Sequence, residues 1–324
     1  MKNPVLSALP HNTAAAAEPR LQGGTWRMVA AMLLSGTIGL VVVESGLPVE
    51  WVVLLRCLLG ALGLGVWLWW RRAWVRPVRS DGGWMLLGGI CLVANWVALF
   101  HAYALVGIAV ATVVYHVQPF LLVLAAALGG ERLRWHQLPW MLLALGGVVL
   151  TSGLGSPAVG MVMADAAHST SQAVWGVALA LLAAGLYTVT VLATRRVQRL
   201  PAAQVAMGQM LAGGAALALW QLPAGLALLA GGSELVLAQP GKTWACVLVL
   251  GLVHTALMYG LMYAAFQRLG AAAIAMLSFV YPAVALLVDL YWFGTEPAAA
   301  QWLGMALIAL AVLGYRWQAL RRPA

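Results

Sequence analysis

Apolar residues run through this chain in long blocks, and charges and Gly/Pro clusters mark the breaks between them. A helix needs about 20 apolar residues to cross about 30 Å of hydrocarbon. Cutting at the breaks and at that length predicts ten transmembrane helices, at residues 26–45, 50–70, 84–105, 107–129, 138–154, 173–193, 203–221, 244–266, 270–293 and 298–317. The cut between the third and fourth spans rests on length alone, because nothing charged occurs from Gly82 to Gly130. A single helix that long is unreasonable, so a turn is placed near Gly107.

Two of these blocks match each other. Leu105 to Phe120 reads LVGIAVATVVYHVQPF and Arg268 to Ala283 reads RLGAAAIAMLSFVYPA, each with a Gly twelve positions before a Pro. Past each Pro an apolar run leads to a hydrophilic break, Gly130-Glu131 or Gly294-Thr295-Glu296, and then to one more hydrophobic helix. An internal repeat of this kind points to a transporter. The chain divides into a disordered cytoplasmic tail (1–25), a five-span repeat (26–154), an external linker (155–172), a second five-span repeat (173–318) and a short tail (319–324). An odd number of spans per repeat inserts the halves in opposite directions. The expected fold is therefore all-α and integral to the membrane, with two inverted five-helix repeats that suit alternating access.

Composition agrees with lipid as the solvent. The chain is 63% hydrophobic and 8% charged, which leaves no polar coat for a soluble globule of 324 residues. The formal charge of +9 does not imply a nucleic-acid partner, because the basic residues lie in short clusters between apolar runs. With ten spans and the N-terminus inside, Arg71, Arg72, Arg76, Arg79, Arg132, Arg134, Arg195, Arg196, Arg199, Arg268 and the terminal cations collect on the cytoplasmic side, and Lys242 alone on the other. Both termini are then cytoplasmic. Residues 1–25 carry no signal-peptide core, since the only apolar patch, Ala14 to Ala17, is too short. Cys57, Cys91 and Cys246 lie within spans without paired or metal-ligand spacing, so neither a metal nor another cofactor is implied. Tryptophans such as Trp26, Trp84, Trp175, Trp220 and Trp317 gather near span ends, where amphipathic rings prefer to sit, and Trp96 is the mid-span exception.

The ten-span plan, the duplicated unit, the Arg in the second-span segment LLRCLLGAL, the Gly-Glu after the fourth span and the paired mid-helix prolines together resemble the EamA type of the drug/metabolite transporter superfamily. The resemblance covers the chain from about Trp26 to Trp317. It implies a secondary transporter of small molecules, often an exporter of amino acids or other metabolites across the bacterial inner membrane. It does not identify a cargo. A lipid or lipid-linked sugar flippase and an intramembrane enzyme are the alternatives. The chain lacks G-x-x-x-x-G-K-[ST], His-Glu-x-x-His and Gly-x-Ser-x-Gly. His168, Ser169, Ser171 and Asp165 read as an ordinary polar loop rather than a triad.

Each Pro removes one helical hydrogen bond near mid-membrane, so Pro119 frees the Tyr115 carbonyl and Pro282 the Ser278 carbonyl. The polar company for those helix breaks is Tyr115, His116 and Gln118 in one half and Ser278 and Tyr281 in the other. Asn95 and Trp96 in the third span, His254 and Thr255 in the eighth and Tyr187 in the sixth complete the candidate substrate-binding set. For each, the alternative is a packing contact between helices. Burying an unpaired polar group in hydrocarbon costs several kcal/mol, which excludes lipid-facing positions.

Arg56 lies about 9 Å below Glu50 at 1.5 Å per residue, within reach of Glu44 or Glu50, as an anion-attracting or gating ion pair or as a structural salt bridge. Asp289, seven residues past Pro282, reads as a gate or packing residue near the external end of the ninth span. No carboxylate sits at the predicted midplane. His116 and His254 alone combine a central position with an unperturbed pKa near about 6.5, so proton coupling, if present, runs through one of them. Aromatic, amide and imidazole groups without a buried acid suit a small amphipathic or zwitterionic substrate. Gly-rich runs such as Leu145 to Gly155 mark close packing, within one chain or in a homodimer.

Overall fold

In a computed structural model, the structure describes residues 13–132, 135–153, 170–223, 240–294 and 296–321. Every regular element among them is helical. The first half comprises α1 (Thr13–Gly36) and α2 (Ile38–Ser45), which form the first span, then α3 (Val49–Trp70), α4 (Arg79–Tyr115), α5 (Gln118–Leu128) and α6 (Leu138–Thr151). The second half comprises α7 (Thr170–Arg196), α8 (Ala202–Trp220), α9 (Gly241–Leu248), a π-helix (Val249–Leu257), α10 (Met258–Phe266), α11 (Ala271–Ser278), α12 (Val280–Phe293) and α13 (Ala299–Arg321).

These elements make ten spans. Nine of them are apolar stretches of 19 to 29 residues, and the fifth, α6, has 14. The third and fourth spans, Arg79–Gly107 and Val110–Leu128, meet at a corner on Gly107. The glycine there has φ 76 and ψ 159, a conformation that other residues essentially do not adopt. The turn inferred from length is thus made by the residue best able to make it.

Several helices run past their predicted bounds, whereas α6 ends at Thr151, short of residue 154. Residues 13–25 are not a disordered tail, because α1 begins at Thr13. The run Ala14 to Ala17 has the highest helix propensity of any side chain and carries the helix out of the apolar block. α4, α7 and α13 likewise start before or end after their predicted bounds, at Arg79, Arg196 and Arg321. A helix satisfies its own backbone and need not stop where hydrocarbon does.

Interruptions fall at equivalent places in the two halves. The fourth span breaks at His116 and Val117 ahead of Pro119, and the ninth at Phe279 ahead of Pro282. Proline offers no N–H and its ring crowds the preceding turn, so the helix opens there. The equivalence extends further. Spans one and two map onto six and seven at an offset of 153 residues, with Pro48/Pro201, Val52/Val205, Leu58/Leu211, Gly60/Gly213, Leu64/Leu217 and Trp67/Trp220 identical. Spans three and four map onto eight and nine at an offset of 163, with Gly88/Gly251, Gly107/Gly270 and Pro119/Pro282 identical.

Close backbone packing joins the spans. α4 lies along α7 and α8, α3 along α8 and the π-helix, and α6 along α13. A Cβ on Gly147 would fall 2.7 Å from the Gly304 carbonyl oxygen, and one on Gly304 would fall 2.6 Å from that of Gly147. At Gly147 the glycine-rich run of the fifth span therefore packs inside the chain, against the tenth.

Candidate substrate site at the junction of the halves

Two aromatic contacts lie where the halves meet. The Trp96 and Tyr259 rings form an edge contact at 5.7 Å, and His116 stacks on Phe279 at 5.9 Å. Both pairs are repeat equivalents, 163 residues apart. Equivalent residues touch each other only near a twofold axis, so these contacts mark the axis relating the halves. Around them, His116 stacks on Tyr281 at 5.1 Å, and Tyr115 leans on Tyr187 at 6.3 Å. Asn95 ties this group together. With its amide oriented to satisfy both ends, it donates to the Ala183 carbonyl at 3.0 Å and to the Tyr115 hydroxyl at 3.1 Å, and accepts from the Trp96 backbone N–H at 3.2 Å.

The group is half enclosed. Asn95, Trp96, His116 and Gln118 are buried, whereas Tyr115, Tyr187, Ser278 and Tyr281 keep part of their surface accessible. The Ser278 hydroxyl donates to the Ala275 carbonyl at 2.7 Å, and the Tyr187 hydroxyl to the Met262 sulfur at 3.4 Å. His116 Nδ1 lies 2.6 Å from the Thr112 carbonyl oxygen. A carbonyl only accepts, so Nδ1 carries the proton. Nε2 is then left buried and without a hydrogen-bond partner among the described residues.

A second group holds the remaining predicted residues. Arg56 is 2% exposed, its Nε donates to Thr255 Oγ1 at 3.2 Å, and its guanidinium lies over the Trp96 ring at 4.5 Å. Thr255 donates in turn to the Leu250 carbonyl at 2.7 Å, five residues back, the spacing of the π-helix. His254 Nε2 is 2.7 Å from Thr37 Oγ1. Because the Thr37 hydroxyl donates its hydrogen to the Leu34 carbonyl, His254 is the donor. Thr37 sits at the break between α1 and α2. Helical depth placed Arg56 within reach of Glu44 or Glu50, and the structure brings it to neither. Glu44 pairs with Lys242 and accepts from Trp292 Nε1 at 3.3 Å. Glu50 faces His101 at 3.9 Å. The side chain faces inward, toward the eighth span, because Thr255 and Trp96 offer an acceptor and a ring face there. The Asp289 side chain and residues Asp165, His168 and Ser169 lie outside the described residues.

The sequence pattern of the EamA-like transporter family matches this chain twice, over residues 23–153 and 174–317. The chain belongs to the EamA-like transporter family. A relative from Bacillus subtilis (strain 168), named "Uncharacterized transporter YxxF", is 28% identical over 289 residues, covering 87% of this chain and 86% of that one. A solved structure described as "Crystal structure of protein" superposes with a TM-score of 0.75 at 24% identity, covering 92% of this chain and 99% of that one, and it shares the fold.

This EamA-like chain carries comparable contacts near its two ends. At the arginine-rich end Arg195, in the last turn of α7, pairs with Glu131 at 2.5 Å, and Glu131 also accepts from the Ala271 backbone N–H at 3.3 Å. At the other end Glu44 joins Lys242 and Trp292. Each set ties the end of a first-or-sixth span to the end of a fourth-or-ninth span. A cavity of about 620 Å³ opens at the arginine-rich end, lined by Arg195, Arg196, Arg268, Glu131, Gln198 and Phe266 among others, and it contains none of the predicted site residues. Sequence reasoning missed Thr37, Phe279 and the buried Gln209. The available signal was the repeat itself, which pairs Thr37 with Thr190, Phe279 with His116 and Gln209 with Arg56.

Proposed function

We propose that this membrane transporter is a secondary exporter of amino acids or related amphipathic metabolites, working by alternating access in the bacterial inner membrane with both termini cytoplasmic. The observation that carries the reading is the aromatic and imidazole cluster on the axis between the halves. A substrate held there touches both repeats, so rocking one against the other exposes the same site to either side. Tyr115, Tyr187 and Tyr281 offer ring faces to an apolar body, and Asn95, Gln118 and Ser278 offer hydrogen-bonding groups beside the two helix breaks. The arginine clusters support the orientation, since cationic loops resist translocation.

We further propose coupling to protons through His116 or His254. The two are alike in this respect, since His116 Nε2 and His254 Nδ1 are both buried without a hydrogen-bond partner among the described residues, and either takes up or releases a proton there without breaking an existing bond. The deciding experiment is uptake into inside-out vesicles holding the purified protein, screened over labelled amino acids with and without a pH gradient. Accumulation that collapses with the gradient supports the proton-coupled reading. Gradient-independent equilibration replaces it with facilitated diffusion, and movement of no amino acid overturns the substrate class.

A further inference from the structure

Repeat symmetry makes Arg56 and Gln209 the same position in the two halves, eight residues after Pro48 and Pro201 and four before Gly60 and Gly213. The two are satisfied unequally. Gln209 accepts from the Tyr263 hydroxyl and donates to Thr194 Oγ1 at 3.0 Å, so both ends of its amide are used. That is what a packing residue in a helix bundle looks like. Arg56 is buried to the same degree and carries a full positive charge. Among the described residues its one hydrogen bond is Nε to Thr255, Nη2 is buried without a partner, and no carboxylate pairs with it. The Trp96 ring face at 4.5 Å offsets part of that charge. A buried cation left without a counter-charge is strongly unfavourable, whereas the amide at the equivalent position is neutral and fully paired.

From this contrast we infer that Arg56 is the receptor for a carboxylate of the transported molecule, a deepening that rests on the transporter reading above. The orphan Nη2–H is the donor left over for a carboxylate oxygen, since Nε is committed to Thr255. One guanidinium with no lysine beside it matches a single negative charge, whereas a phosphate dianion calls for a cluster of cations. Trp96 links this donor to the axial cluster, because it lies under the guanidinium on one side and meets Tyr259 at the axis. The substrate class is a monocarboxylate with an aromatic or aliphatic body, the charged end on Arg56 and the body against the tyrosines.

The test measures binding separately from flux. Melting temperatures of the purified protein in detergent are titrated with 3-phenylpropionate against 3-phenylpropanamide, and with L-phenylalanine against its amide. The carboxylates should bind about tenfold tighter than their amides or better, and Arg56→Gln, which installs the residue of the other repeat, should bring each pair within about twofold. Arg56→Lys keeps the charge without the fork and should reduce the preference. If Arg56→Gln does not fold, this variant decides alone, and an undiminished preference overturns the inference. So does an equal response to acid and amide, or to no probe, in the unmodified protein. Asp289→Asn should leave the preference intact, and a loss matching that of Arg56→Gln would make Arg56 half of an ion-pair gate instead. Flux through proteoliposomes reports on the transport reading independently. A protein that moves solutes without preferring carboxylates keeps that reading and loses this one, and a protein that prefers carboxylates but moves nothing does the reverse.

Discussion

At the scale of single residues, His116 and Gly60 carry the clearest expectations. His116→Phe copies the residue at its repeat equivalent, Phe279, so it keeps the ring stacking on Tyr281 and removes both ring nitrogens. Proton coupling through this residue predicts that gradient-driven accumulation is lost while solute counterflow without a gradient continues. Comparing the two fluxes in one proteoliposome preparation checks it. Coupling that survives when His116→Phe is combined with His254→Ala would exclude both imidazoles. Gly60 lies against Thr255, where an added Cβ would sit 2.3 Å from Thr255 Cγ2. Gly60→Ala should displace the hydroxyl that receives Arg56 Nε, destabilising the fold by about 1–3 kcal/mol of overpacking. Thermal unfolding in detergent reads that directly, and an unchanged melting temperature would mean that the α3 and π-helix backbones move apart freely.

Elements are punctuated by glycine and proline, and the two repeats use the same punctuation under different strain. Gly107 turns the corner with φ 76, while its equivalent Gly270 has φ −68 and ψ 159, open to any residue. Gly107→Ala should therefore cost about 1–3 kcal/mol of backbone strain, and Gly270→Ala should fall within about 0.5 kcal/mol of the parent. Parallel melting curves for the two variants distinguish a conformational requirement from mere conservation of a pattern. The π-helix at Val249–Leu257 has no counterpart in the third span, where α4 stays regular through the matching residues. Its five-residue hydrogen bond from Thr255 to the Leu250 carbonyl holds the hydroxyl oriented toward Arg56, which links the local irregularity to the buried charge.

For the whole molecule, alternating access requires that closing one end and opening the other be nearly balanced. Glu131 with Arg195 and Glu44 with Lys242 and Trp292 occupy opposite ends of the bundle. Exposed ion pairs are individually weak, so each biases the equilibrium without locking it. Glu131→Gln should raise thiol labelling of a Tyr115→Cys probe by a few-fold from the arginine-rich side, and Glu44→Gln from the opposite side. The background carries Ser at Cys57, Cys91 and Cys246. Equal labelling changes from both sides in each variant would remove these contacts from the gate.

The spans, the duplication and the corner at Gly107 were legible in the sequence because they depend on local quantities: apolar length against the thickness of hydrocarbon, spacing between Gly and Pro, and the unique φ range of glycine. That the candidate polar residues lie inside the bundle was legible for a similar reason, since a polar side chain in a long apolar run must find company there. The company itself was not. Depth along one helix pointed Arg56 at Glu44 and Glu50, but Thr255 is 199 residues away in sequence and reaches Arg56 only when α3 lies along the π-helix. The meeting of His116 with Phe279 and of Trp96 with Tyr259 likewise needed the two halves docked about their axis. Sequence by itself determined which segments cross the membrane and that they come in two related sets. Tertiary structure decided which polar groups meet and which are left without a partner, because those outcomes depend on the packing of helices far apart in the chain.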